Sequence, residues 1–70
     1  MEIQNRVKEL RAKHRLTQGE LADLVQITRQ TIVALEKGSY SPSLLLAWKI
    51  SRVFGLSIED IFLFDEEEQK

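Results

Sequence analysis

Residues 17–38, TQGELADLVQITRQTIVALEKG, decide the fold. Thr17 with Glu20 three positions on has the form of a capping box: the hydroxyl accepts a first-turn N–H and the carboxylate reaches back to the cap. It predicts a short helix over 18–25 whose apolar face is Leu21, Ala22 and Val25. Gln26 and Ile27 then form a turn. Thr28 is a second cap and predicts another short helix over 29–37, with Ile32 and Leu35 inward and Gly38 as its stop. Small Ala22 lets the two helices approach closely, and Ile27 plugs the turn between them. One face of the second helix is left outside, carrying Arg29, Gln30, Val33 and Lys37.

Outward from this pair the periodicity stays helical. Ile3, Val7 and Leu10 recur at i, i+4 and i+7, which predicts a first helix over 5–14, followed by a connector with Leu16 inward. After a polar loop at 39–41, Pro42 suits the first turn of a fourth helix running to Phe54, with Leu44, Ala47, Ile50 and Phe54 spaced for burial. Gly55 ends it. Ser57 caps a fifth helix with Glu59 and Asp60 in its first turn, where negative charge suits the helix dipole. The expected architecture is all-α and compact: five helices in one domain over 1–64, then an acidic tail, 65–70, expected to be mobile. Leu45 and Trp48 fall to one side of the fourth helix's stripe, and Ile58, Ile61, Phe62, Leu63 and Phe64 follow. So many apolar groups predict a second buried surface, a two-fold homodimer through the fifth helix and the residues after it.

Composition narrows the function. Seventy residues allow one small domain. The chain has no cysteine and a single histidine, His14, which excludes disulfides, thiolate chemistry and a His-built metal site, so neither metal nor cofactor is expected. There is no nucleophile–base pair, no paired carboxylates and no phosphate loop, so the chain is not expected to be an enzyme or to hold a small-molecule ligand. No apolar run reaches the roughly 18–20 residues of a membrane span and no signal-peptide pattern opens the chain, so a soluble, cytoplasmic protein without a membrane partner is expected. A core this small rarely supplies more than about 3–5 kcal/mol unaided, which leaves tight helix packing or self-association to stabilise it. The net charge of −1 hides an uneven distribution: nine Lys/Arg against five Asp/Glu over residues 1–58, and one against six over 59–70. A mildly basic body is consistent with a polyanionic partner, whereas the pI near 5.8 argues weakly against nucleic acid.

The open face of the second helix of the pair carries the chemistry. Arginine can grip guanine O6 and N7 with two bonds and glutamine can grip adenine N6 and N7, so Arg29 and Gln30 are candidate base readers at the helix end that enters a major groove. Val33 offers a methyl surface to a thymine methyl. Gln18 opens the preceding helix, where free backbone N–H groups favour a phosphate. Thr28, Lys37, Ser39 and Tyr40 are candidates for neighbouring phosphates.

These residues, with SPSLLLAWKISRVFGLSIEDIF at 41–62, resemble the phage repressor/Cro-type (Xre) helix-turn-helix family over about residues 4–62. The resemblance implies a sequence-specific transcriptional regulator that binds double-stranded DNA, a repressor on a pseudo-palindromic operator as a homodimer. It implies that Gln18 holds a phosphate, that Arg29 and Gln30 read bases, and that Arg11 and Glu36 form an ion pair fixing the first helix against the recognition helix. The similarity to short stand-alone members further implies a terminal β-ribbon, Met1–Ile3 against Leu63–Phe64. The alternative reading is a protein-interaction module on the same fold, an antitoxin-like partner or adaptor using Leu63, Phe64 and the acidic tail. Three departures stand out. Gln26 replaces a glycine usual in the turn, where a left-handed residue would cost glutamine about 1 kcal/mol. Gly19 sits inside a helix at roughly another 1 kcal/mol. Ala34 stands where some relatives have a base-reading glutamine.

Overall fold

The computed structural model describes residues 3–64, so the expectations for Met1 and for the acidic tail lie outside the described residues. Five helices and a two-stranded ribbon follow in the order β1 (Ile3–Asn5), α1 (Val7–Lys13), α2 (Gln18–Leu24), α3 (Arg29–Glu36), α4 (Leu44–Phe54), α5 (Ile58–Ile61) and β2 (Phe62–Phe64). The ribbon is antiparallel with Ile3 opposite Phe64, Gln4 opposite Leu63 and Asn5 opposite Phe62.

This ribbon displaces the expected start of the first helix. Ile3 and Asn5 are in the strand, and α1 begins at Val7. Asn5 explains the switch. Its Oδ1 accepts the Val7 N–H at 3.1 Å, and its Nδ2 donates to the Leu35 carbonyl at 2.9 Å, near the end of α3. The Arg6 N–H donates to the Ile61 carbonyl at 2.9 Å. The chain entering α1 is thus sewn to both α3 and the end of α5, and bonds across 30 or more residues outweigh a local helical pattern.

Among the described residues, thirteen apolar ones from all five helices and β2 form the core, among them Val7, Leu10, Leu21, Ala22, Val25, Ile32, Leu35 and Ile50. Leu16 and Ile27 pack against it half-buried, as the inward placement of both expected. At about 1.5–3 kcal/mol for each large aliphatic taken from water, this cluster is the main favourable term holding the helices together.

Three placements differ from the sequence expectation. Pro42 precedes the fourth helix instead of starting it, because the Ser43 hydroxyl accepts the Leu46 N–H at 3.1 Å and makes Ser43 the cap. Leu44, expected in the core, is 79% exposed, and Leu46 is buried instead. At 100° per residue the buried set Leu46, Ala47, Ile50, Ser51 and Phe54 shares one arc, and Leu44 sits roughly 90° from its centre. Ile61 and Phe62, expected at a partner surface, are 0% and 2% exposed and belong to this chain's own core. Ile58 packs half-buried on that core, which leaves Leu63 and Phe64 as the exposed members of the expected interface. Gly55 adopts φ 68° and closes α4 with a left-handed residue, a position that disfavours any side chain bearing a Cβ.

Candidate nucleic-acid interface

The pair α2–α3 makes the most extensive helix–helix contact in the molecule. Both caps form. Thr17 Oγ1 accepts the Glu20 N–H at 3.0 Å while its own N–H donates to Glu20 Oε1 at 2.8 Å, completing the box. Thr28 Oγ1 accepts the Thr31 N–H at 3.3 Å. Between the helices the Ile27 N–H donates to the Ala22 carbonyl at 3.0 Å, which folds the turn back on α2. Gln26 takes φ 63°, the left-handed conformation that disfavours a side chain there. Its Oε1 accepts from Lys49 Nζ at 3.0 Å, a tie from the turn to α4 that no sequence signal announced. Arg15, in the connector before α2, also has a positive φ of 58° and was likewise not foreseen.

Thr28, Arg29 and Gln30 are exposed together at the start of α3, and Lys37, Ser39 and Tyr40 are exposed beyond its end. Val33 is half-buried and presents only part of its side chain. The Ser39 hydroxyl is already engaged, donating to the Ala34 carbonyl at 3.2 Å.

Behind this surface runs a chain of four polar side chains. Arg11 Nε donates to Glu36 Oε2 at 2.7 Å and its terminal nitrogens reach Glu36 Oε1 at 3.3 Å and the Leu16 carbonyl at 2.9 Å. Gln18 Nε2 donates to Glu36 Oε1 at 3.1 Å. Gln18 Oε1 in turn accepts from an Arg29 terminal nitrogen at 3.3 Å. The Glu36 side chain is nearly buried, and these donors occupy both of its carboxylate oxygens. The ion pair expected from the resemblance is therefore present, and it extends through Gln18 to the first residue of α3. Because Glu36 can only accept, it orients the Gln18 amide with its oxygen toward Arg29. Arg11, Thr17, Gln18, Gly19 and Arg29 line an open recess beside α3. Arg11 was read from the sequence only as a brace; its place in the recess depends on how α1 lies against α2. Gly19 is not needed for room there, since a Cβ would meet nothing closer than Thr17 Oγ1 at 4.0 Å.

Comparison with known proteins adds a family and a fold. A family model described as helix-turn-helix matches residues 7–61. An "uncharacterized HTH-type transcriptional regulator" from Archaeoglobus fulgidus is 62% identical over 66 residues, covering 94% of this chain and 93% of the relative. One from Bacillus subtilis, YgzD, is 51% identical over 65 residues, covering 93% and 98%. Among solved structures, the restriction-modification controller protein C.AhdI from Aeromonas hydrophila superposes with a TM-score of 0.72 at 27% identity, over 79% of this chain and 83% of that one.

Proposed function

The chain belongs to the helix-turn-helix family, and from that premise we propose that it is a sequence-specific DNA-binding transcriptional regulator. The observation that carries the reading is the start of α3, where Thr28, Arg29 and Gln30 stand exposed beside the Gln18 recess. Arg29 and Gln30 are assigned to base edges in the major groove, with Val33 as a partial methyl contact. Gln18, Thr28, Lys37, Ser39 and Tyr40 are assigned to phosphates, which position the domain without reading sequence. Ser39 would have to release the Ala34 carbonyl to take part.

The protein acts as a repressor on a pseudo-palindromic operator, bound as a homodimer whose two α3 helices lie about 34 Å apart, one turn of DNA. Repression needs only occupancy of the site, which this interface supplies. Residues 1–64 form the DNA-binding domain, and the cytoplasm is where its target lies. No described helix is long and apolar enough to cross a membrane.

Selection of bound duplexes from a random pool, read at two salt concentrations, tests the whole reading. A half-site repeated about one helical turn apart is expected, with affinity falling steeply as salt rises. Lys37→Ala should weaken all sequences alike and lower the salt slope by about one. A pool that enriches no sequence would overturn the proposal.

A further inference from the structure

Four helices close on a left-handed residue. Arg15, Gln26, Gly38 and Gly55, at the ends of α1, α2, α3 and α4, have φ of 58°, 63°, 80° and 68°. In each case the N–H of the following residue turns back to the last turn of the helix: Leu16 to the Arg11 carbonyl at 2.9 Å, Ile27 to Ala22 at 3.0 Å, Ser39 to Ala34 at 3.1 Å and Leu56 to Ser51 at 3.1 Å. Glycine takes this position with no Cβ in the way, so the two helices that end without one keep a side chain there at a cost. Gln26 uses its side chain inside the fold, where Oε1 accepts from Lys49 Nζ. Arg15 has no such use among the described residues: it is exposed, and the ion pairs there join Arg6 to Glu9 and Arg11 to Glu36. The carboxylate of Glu20, a few residues on, is turned back to the Thr17 N–H.

Arg15 stands beside the recess. The carbonyl of the next residue, Leu16, accepts from Arg11, and Thr17 and Gln18 follow on the recess wall with Arg11 and Arg29. Three steps of chain keep the Arg15 and Gln18 Cα atoms within about 11 Å of each other. We propose that the Arg15 guanidinium holds a DNA backbone phosphate next to the one assigned to Gln18, so that the footprint extends past the helix pair onto the connector before it. The contact presupposes the DNA-binding reading above and adds a residue to it. A guanidinium is always charged and presents several donors to a phosphate. A conformation that costs stability, kept for a side chain that the fold does not use, is accounted for by a ligand outside the chain.

Operator titration and thermal melting of the full chain test this, with wild type beside Arg15→Gly, Arg15→Gln and Arg15→Lys. Arg15→Gly should melt roughly 4–8 °C above wild type. It should nevertheless bind the selected duplex more weakly, with the slope of log affinity against log salt reduced by about one. The gap from wild type then narrows roughly threefold between 50 and 200 mM salt. Arg15→Gln, which keeps a left-handed side chain, should lose the same slope without the gain in melting temperature, and Arg15→Lys should retain the slope. Base preference should be the same in all four proteins, because a phosphate contact carries no sequence information. A wild-type slope in both Arg15→Gly and Arg15→Gln overturns the contact and leaves the DNA-binding reading standing. A slope lost in Arg15→Gly alone traces the effect to the backbone and overturns the contact as well. A wild-type chain that binds no duplex overturns the contact and the DNA-binding reading together.

Discussion

On its α2 side, α3 is held by apolar contact, with Ile32 and Leu35 fully buried in one cluster with Ala22. On its α1 side it is held by charge, with nearly buried Glu36 between Arg11 and Gln18. The two attachments should fail differently. An apolar seam weakens in proportion to the volume removed and relaxes partly around the loss. A buried carboxylate that loses its cation is left with an uncompensated charge, a cost that no small shift recovers. The seam thus tolerates variation, while the brace demands particular atoms and transmits their orientation to Arg29.

The largest effect should follow from cutting the brace. Arg11→Ala leaves Glu36 without its cation and is expected to cost about 3 kcal/mol in a urea melt, since this pair is close to buried. A cost no larger than that of an exposed pair would mean that the two attachments of α3 fail alike. Next is Arg29→Ala, at the far end of the polar chain and exposed. It should leave the melt nearly unchanged, lower affinity for the selected operator by roughly 1–3 kcal/mol, and relax preference at one base pair. Equal loss on all sequences would move Arg29 from base reading to phosphate holding. Ile32→Val trims the seam by one methylene and should cost about 0.5–1.5 kcal/mol in the same melt. Gly19→Ala has room for its Cβ and replaces the poorest non-proline helix former inside α2, so the melting temperature should rise by the equivalent of about 0.5–1 kcal/mol.

The smallest effect belongs to a surface pair that serves as the control for the buried one. Arg6 and Glu9 meet at 2.9 Å on the outside of α1. The hydrogen bond from Arg6, and then its charge, hold the Glu9 carboxyl below its ordinary value. A lowered folded-state value stabilises above the ordinary carboxylate pKa, and that contribution is lost as pH falls through the folded value. Glu9→Gln should therefore melt slightly below wild type at neutral pH and level with it in acid. At this exposure the gap should be far smaller than that of Arg11→Ala.

Much of this was legible in the residues. Thr17–Glu20, Thr28 and Ser57 mark helix starts because a cap is a local bargain among neighbours within four positions, and all three cap as their spacing indicates. The exposed start of α3 was legible for the same reason: Ile32 and Leu35 pull one side inward, so Arg29 and Gln30 must face out. The extent of the first helix was not, because Asn5 answers to Leu35, thirty residues away. The apolar tail of the domain was misread in the same way. Ile61 and Phe62 look no different in sequence from Leu63 and Phe64, and only the packing of α5 on the core, with β2 paired to β1 beyond it, decides which pair turns inward.

Local chemistry, then, was sufficient for the helix pair and for the identity of the groups on its outer face, since helical periodicity and capping act over a single turn or two. Tertiary packing decided which apolar residues stay outside on α4, how the terminal strands close the domain, and how Glu36 orders Gln18 against Arg29. Those are contacts between elements far apart in the chain, and their outcome depends on competing burial across the whole molecule.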